Sequence, residues 1–204
     1  PKRSAYGLVA PRIEWVDREK TALIIDAIPE IHRPPFQWMY LHLMRPAEAC
    51  ALMWADWDEI NRQFLVRRSI SARQVVESTK TGEIYLTPCH GEFYPVLKAL
   101  ASLRGCSQYI FTNPRARKPG GRYTNESLNT IWRAACVKAG VDIRLYAGVR
   151  HSRASQMINE LGMSIHEVKE AGSWKRLDSV ARYAKTELTR KRELLERGEV
   201  ITIN

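Results

Sequence analysis

No run of apolar residues in this sequence approaches the eighteen or so that a membrane-spanning helix needs, and no short apolar stretch precedes a small-residue cleavage site. Both absences predict a soluble, cytoplasmic protein. Cysteine is scarce and scattered. Cys50, Cys89, Cys106 and Cys136 stand far apart, without the paired spacing of a zinc site or a disulfide framework, so reduced thiols are expected and no metal centre. Internal repeats and low-complexity tracts are missing too, which excludes a solenoid or a biased linker. Acidic residues are outnumbered: 22 Asp and Glu face 32 Lys and Arg, for a net charge of +10 and a pI near 9.7. Such an excess attracts polyanions, nucleic acid foremost, although membrane-surface and ribosomal proteins share it.

What is present is ordinary for a globular chain. Hydrophobic residues make up 45% and charged residues 26% of 204, enough for one core with a short appendage. The opening at Pro1 predicts a fragment. Helical spacing runs from Trp15 to Pro29 and from Phe36 to Met44, and Pro46 is well placed at the first position of a further helix. Three β-like runs follow, FLVRR (64–68), QVVES (74–78) and EIYLTP (83–88), the last two joined by TKTG. The remainder is mostly helical: EFYPVLKALASL, then a loop PRARKPGGR, a helix capped by Asn125 and closed by Gly140, one from about Val149 to Leu161, and SIHEVKEAG. Helices, a small three-stranded antiparallel sheet, then helices make an α+β fold. The expected division is a domain over 1–185 and a helical tail over 186–204, anchored by Leu188, Leu194 and Leu195.

Four stretches carry residue types out of their usual setting. In LMRPAEACALMWADWD (43–58), Arg45 precedes a helix with Glu48 three residues on, and points along the stripe of Ala49 and Leu52 near N–H groups that favour anions. The bland alternative is a surface pair with Glu48. In YAGVRHSRASQMINELG (146–162), residues placed 100° apart put Arg150 about 30° from the direction of Ala154, Met157, Ile158 and Leu161, and Arg153 about 90° away. Arg150 is therefore the inward arginine and Arg153 the solvated one. Two inward guanidiniums suit an anion contacted twice, whereas one snorkelling past the core suits no ligand. Lys80 sits in the turn of STKTGEIYLTP (78–88), where most lysines meet only water. In GSWKRLDSVARYAK (172–185), Trp174 and Tyr183 either face one cavity or fill a core.

Taken together, these stretches resemble the catalytic domain of the tyrosine site-specific recombinases, the phage integrase family, over roughly Glu14 to Ala184. Arg45 with Glu48 and LMWADWD resembles that family's first-arginine motif, and STKTG before a strand ending at Pro88 resembles its hairpin-lysine motif. RHSRAS resembles its second-arginine helix. Trp174 and Tyr183 keep the family's nine-residue interval to the nucleophile. Two departures stand out. The family's usual His three residues before the second arginine is Ala147 here, flanked by Tyr146 with His151 nearby, and the interval from Arg150 to Gly162 is about one residue longer than the family's pattern leads one to expect.

The resemblance implies a mostly helical α+β catalytic domain acting on duplex DNA with no metal or nucleotide cofactor. It implies that Tyr183 attacks a phosphodiester held by Arg45 and Arg150, leaving a 3′-phosphotyrosyl link, with Lys80 as general acid, Trp174 bonded to a non-bridging oxygen, and Glu48 and His151 in support. Lys175 and Arg176 are expected on the DNA backbone, and a homotetramer on DNA, its tails docked between protomers. The family's separate N-terminal helical domain has no counterpart in the sequence. A non-catalytic DNA-binding relative and a DNA-relaxing type IB topoisomerase-like enzyme are the alternatives.

Overall fold

The computed structural model describes residues 13–80 and 82–184. The expected tail over 186–204 lies outside them. Asp17 caps α1 (Arg18–Ala27), its carboxylate accepting from the Lys20 amide at 2.8 Å, and Pro34 and Pro35 open the first turn of α2 (Arg33–Leu41), where their missing N–H groups cost nothing. The helix α3 (Pro46–Ala49) is a single turn, begun by Pro46 as its sequence predicts.

A small three-stranded antiparallel sheet is present as expected, but its strands are not all the expected ones. β1 (Trp57–Asp58), β2 (Gln63–Val66) and β5 (Tyr85–Pro88) form the three-stranded antiparallel sheet, in the order β1-β2-β5, with Phe64 opposite Thr87. QVVES contributes β4 (Gln74–Val76), which pairs instead with β3 (Ser69–Ser71) in a separate hairpin. The turn of that hairpin is at Ala72 and Arg73, both with positive φ, and not at TKTG. Alternation of apolar residues shows that a segment is a strand, but not which edge it joins.

α4 (Tyr94–Ser102) and α5 (Asn125–Ala139) follow. Thr124, not Asn125, caps α5, accepting from the Ser127 amide, and Gly140 closes it at φ 66° as expected. The next helix opens at Leu145 and Tyr146, passes through a π-turn over Ala147–His151 and continues as α6 (Ser152–Asn159). α7 (Ile165–Ala171) is capped by Ser164, and α8 (Asp178–Ala181) carries the chain to Tyr183.

Two apolar clusters organise these elements. The larger joins Trp38, Phe64, Phe93, Phe111 and Trp132 across α1, α2, α5 and the sheet. The smaller gathers Leu43, Ala154, Met157, Val168, Trp174, Val180 and Tyr183. Ala147 and Val149 belong to the first and Ala154 to the second, so Arg150 lies where the two meet.

Candidate active site

Arg150 is fully buried, as its helix face predicts. Its Nη1 donates to the carbonyl of Leu43 and its Nη2 to that of Gly172 at 3.0 Å. Both acceptors sit at the end of a helix. Past α2 the chain turns through Leu43 at φ 56°, and the Met44 amide bonds back to Met39 O at 2.9 Å. Past α7 it turns through Ser173 at φ 49°, and the Trp174 amide bonds back to Lys169 O at 3.0 Å. These are two Schellman closures made without glycine at the left-handed position, a strained choice that leaves two carbonyls aimed at one guanidinium. Carbonyls at helix C-termini carry partial negative charge and suit a cation. Nε of Arg150 is buried with no hydrogen-bond partner.

The π-turn sets the approach of this side chain. Its extra residue lets the Ser152 amide reach back to Ala147 O, and Gly148 lies so close to Trp132 that a Cβ there would stand 2.2 Å from Cζ2. Arg153, expected in solvent, is instead half-buried with its guanidinium 5.1 Å from the Tyr40 ring.

Arg45 and Glu48 pair as expected, but not on the surface. Arg45 Nη1 meets Glu48 Oε1 at 2.6 Å with the side chains only 14% and 0% exposed, and Glu48 Oε2 also accepts from the Arg45 amide at 2.9 Å. Burial works against the charge on Arg45, yet the Glu48 carboxylate outweighs it and holds the guanidinium pKa above its usual value. At Arg150 burial wins, helped by the like charge of Arg45, and the pKa is lowered. Tyr85 on β5 completes this floor. Its hydroxyl reaches Met44 Sδ at 3.4 Å, and burial, then Glu48, push its pKa up.

Trp174 lies over Arg150, with Cζ 4.1 Å from the ring centroid. Gly172 makes room for that ring, since a Cβ there would stand 1.7 Å from Trp174 Cζ3. Tyr183 packs edge-on against Trp174 at 5.8 Å and lies 5.4 Å from the His151 ring, which in turn meets Tyr146 at 4.6 Å. Tyr183 is buried, and its phenol is pushed up to about 12, by burial first and then by Tyr146, against the pull of Arg150, Arg182 and Arg45. His151 is lowered to about 4 by burial and by Arg182 and Arg150, so its imidazole is neutral at pH 7.

Arg45, Glu48, Arg150, His151, Trp174 and Tyr183, drawn from three separate stretches of the sequence, thus form one cluster. Lys80 is exposed in the turn closed by the Gly82 amide on Thr79 O, outside the buried cluster. That turn is tied toward it by the ion pair of Glu83 with Lys175 at 3.1 Å. Lys175 and Arg176, expected on DNA, are exposed and meet Glu83 and Asp178. Sequence reasoning missed the roles of Leu43, Gly172 and Tyr85. Only Gly172 carried a signal, a glycine directly after a helix and two residues before a tryptophan.

A search of protein families matches residues 14–190 to the phage integrase family. The chain belongs to the phage integrase family. The integrase of Salmonella phage P22 is 35% identical over 180 residues, which are 85% of this chain and 44% of that protein. The chain therefore spans less than half the length of the curated relative it matches. Among solved structures, the Tn1549 transposon integrase in complex with a circular intermediate DNA superposes with a TM-score of 0.75 at 15% identity, over 93% of this chain and 67% of that one. The XerA recombinase gives 0.70 at 17% identity, over 97% and 67%. At these identities the structures establish the fold, that of the tyrosine recombinases and integrases.

Proposed function

We propose that this integrase-family chain cleaves and rejoins duplex DNA through a covalent bond between Tyr183 and a backbone phosphate. The phenolic oxygen of Tyr183 attacks phosphorus, the bond from phosphorus to the 5′-oxygen breaks, and a 3′-phosphotyrosyl link remains with a free 5′-hydroxyl. The leaving oxygen takes a proton from Lys80. Arg45 and Arg150 hold the non-bridging oxygens and neutralise the charge that otherwise repels a nucleophile. The indole N–H of Trp174 adds a donor to the same oxygens. Glu48 orients Arg45, and Lys175 and Arg176 contact the flanking backbone.

A phenol at about 12 does not ionise unaided at neutral pH. The neutral ring of His151 beside it has a lone pair for that proton, and an entering phosphate raises the imidazole's basicity by offsetting Arg182 and Arg150. Phosphodiester energy is retained in the adduct, so a hydroxyl from a second strand reverses the step and exchanges strands without ATP. Strand exchange pairs two duplexes, hence a homotetramer on DNA, with residues 186–204 docking between protomers.

The observation that carries the reading is Arg150. A fully buried guanidinium, hydrogen-bonded only to carbonyls, packed against Trp174 and near enough to Arg45 and Tyr183 to act on their charges, is suited to receive an anion. The test is a nicked suicide duplex carrying the target site. An SDS-resistant adduct is expected with the unaltered chain and none with Tyr183→Phe. Binding without an adduct would instead support a non-catalytic DNA-binding relative, and relaxation of supercoils without strand exchange a topoisomerase-like enzyme.

A further inference from the structure

The outer edge of the cluster holds a second phenol with no assigned role. Tyr146 is the last residue before the π-turn and is 36% exposed, while Tyr183 beyond it is buried. Its ring stands edge-on to His151 at 4.6 Å, and His151 leads on to Tyr183 at 5.4 Å, so Tyr146 closes the open side of the row that runs Arg150, Trp174, Tyr183, His151. The hydroxyls of Tyr40 and Tyr123 are bonded to Gln156 and His32, but that of Tyr146 has no hydrogen-bond partner among the described residues. Tyr146 is close enough to Arg45, Arg150 and Tyr183 to influence the ionisation of all three.

Backbone geometry accounts for this placement. A π-turn holds one residue more than an α-turn, so the residue four before Arg150 takes nearly the place that the residue three before would take in an unbroken α-helix. The residue three before is Ala147, which is buried in the main core and offers no polar group. The bulge thus hands that position to Tyr146.

We propose that Tyr146 is a further catalytic residue, its phenolic hydroxyl donating a hydrogen bond to a non-bridging oxygen of the phosphodiester that Arg45 and Arg150 hold. The assignment rests on the phosphate-receptor reading of this site. No proton leaves Tyr146 and no bond to it forms. Its contribution is one donor to an anion, stronger as charge builds on the pentacoordinate phosphorus, and a ring that keeps His151 in place.

Tyr146→Phe retains the ring and removes only the donor. Adduct formation on the nicked duplex should slow roughly 10- to 100-fold, the usual worth of a hydrogen bond to a charged group. On DNA with a methyl group replacing one non-bridging oxygen, one of the two diastereomers should abolish the difference between Tyr146→Phe and the unaltered chain. Unchanged cleavage by Tyr146→Phe, or an equal slowing on phosphate and on both methyl diastereomers, would overturn the assignment, because a packing role is preserved by phenylalanine and indifferent to that oxygen. A second measurement needs no covalent chemistry: orthophosphate titrated into the intact chain should bind at least fivefold more weakly to Tyr146→Phe, and equal affinity would overturn the proposal. If the unaltered chain forms no adduct but this difference in phosphate affinity persists, strand cleavage is refuted and the Tyr146 contact stands.

Discussion

Replacing Gly172 with alanine adds one methyl group where the site is tightest. The new Cβ would lie 1.7 Å from Cζ3 of Trp174, 2.2 Å from Cε3 and 2.6 Å from Cη2, where ordinary contact needs at least 3.4 Å. The obstacle is a rigid ring, so no small rotation of a flexible side chain relieves it. Either the turn after α7 opens or the indole leaves its place over Arg150. Forcing a methyl into a packed interior costs about 1–3 kcal/mol. Losing a desolvated cation–π contact such as the one at 4.1 Å adds about 2 kcal/mol. A loss of about 3–5 kcal/mol is expected, roughly 10 °C in Tm for a domain of this size. Urea unfolding and calorimetry give the stability, and the suicide duplex gives the adduct. Adduct formation should fall further than stability, since the displaced ring touches both Arg150 and Tyr183. Gly91→Ala, whose Cβ would meet nothing within 4 Å, is the control and should be neutral. A Gly172→Ala chain within 1 kcal/mol of the unaltered one, and forming adduct at its rate, would refute this account of how the indole is seated.

Glu48→Gln keeps the shape but not the charge beneath Arg45; removing one partner of a buried pair costs about 3–5 kcal/mol, so urea unfolding should register a loss of at least 2 kcal/mol. Stability should also fall as pH drops from 6.5 to 4. His42 and His151 are both lowered to about 4 in the fold, so the unfolded chain binds more protons across that window. Buried His42 accounts for about 3 kcal/mol and the partly exposed His151 for less, and His42→Asn should flatten the profile measured by urea titration at several pH values. Glu83→Gln should leave stability within about 1 kcal/mol, because the pair with Lys175 is exposed, yet slow cleavage severalfold by loosening the Lys80 turn. An unchanged single-turnover rate would show that the pair does not position Lys80.

Much of this site was legible in the sequence because its residues are anomalous locally: an arginine on an apolar stripe is visible from periodicity alone. The face argument put Arg150 inward, where it is indeed buried, although it assumed 100° per residue across a segment that is a π-turn. It succeeded because the residues that define the apolar direction, Ala154 and Met157 among them, lie in regular α6, only a few residues from Arg150. Arg153 was misjudged because periodicity ignores neighbours, and Tyr40 on α2 covers it. Strand pairing failed for a similar reason. β4 and β5 are adjacent in sequence but bond to different partners, β4 folding back on β3 through the positive-φ turn at Ala72 and Arg73. The carbonyl cradle was invisible, since backbone acceptors have no residue type.

The cradle has a consequence for how the site meets its ligand. Arg45 must share its charge with Glu48, whereas Arg150 is hydrogen-bonded only to peptide carbonyls under the Trp174 ring, with no carboxylate bonded to it among the described residues. Dipoles locked in two helix termini neither swing away nor exchange with mobile ions. An arriving phosphate therefore breaks no existing ion pair at Arg150, and the reorganisation that usually dulls a buried cation's grip was completed when the chain folded.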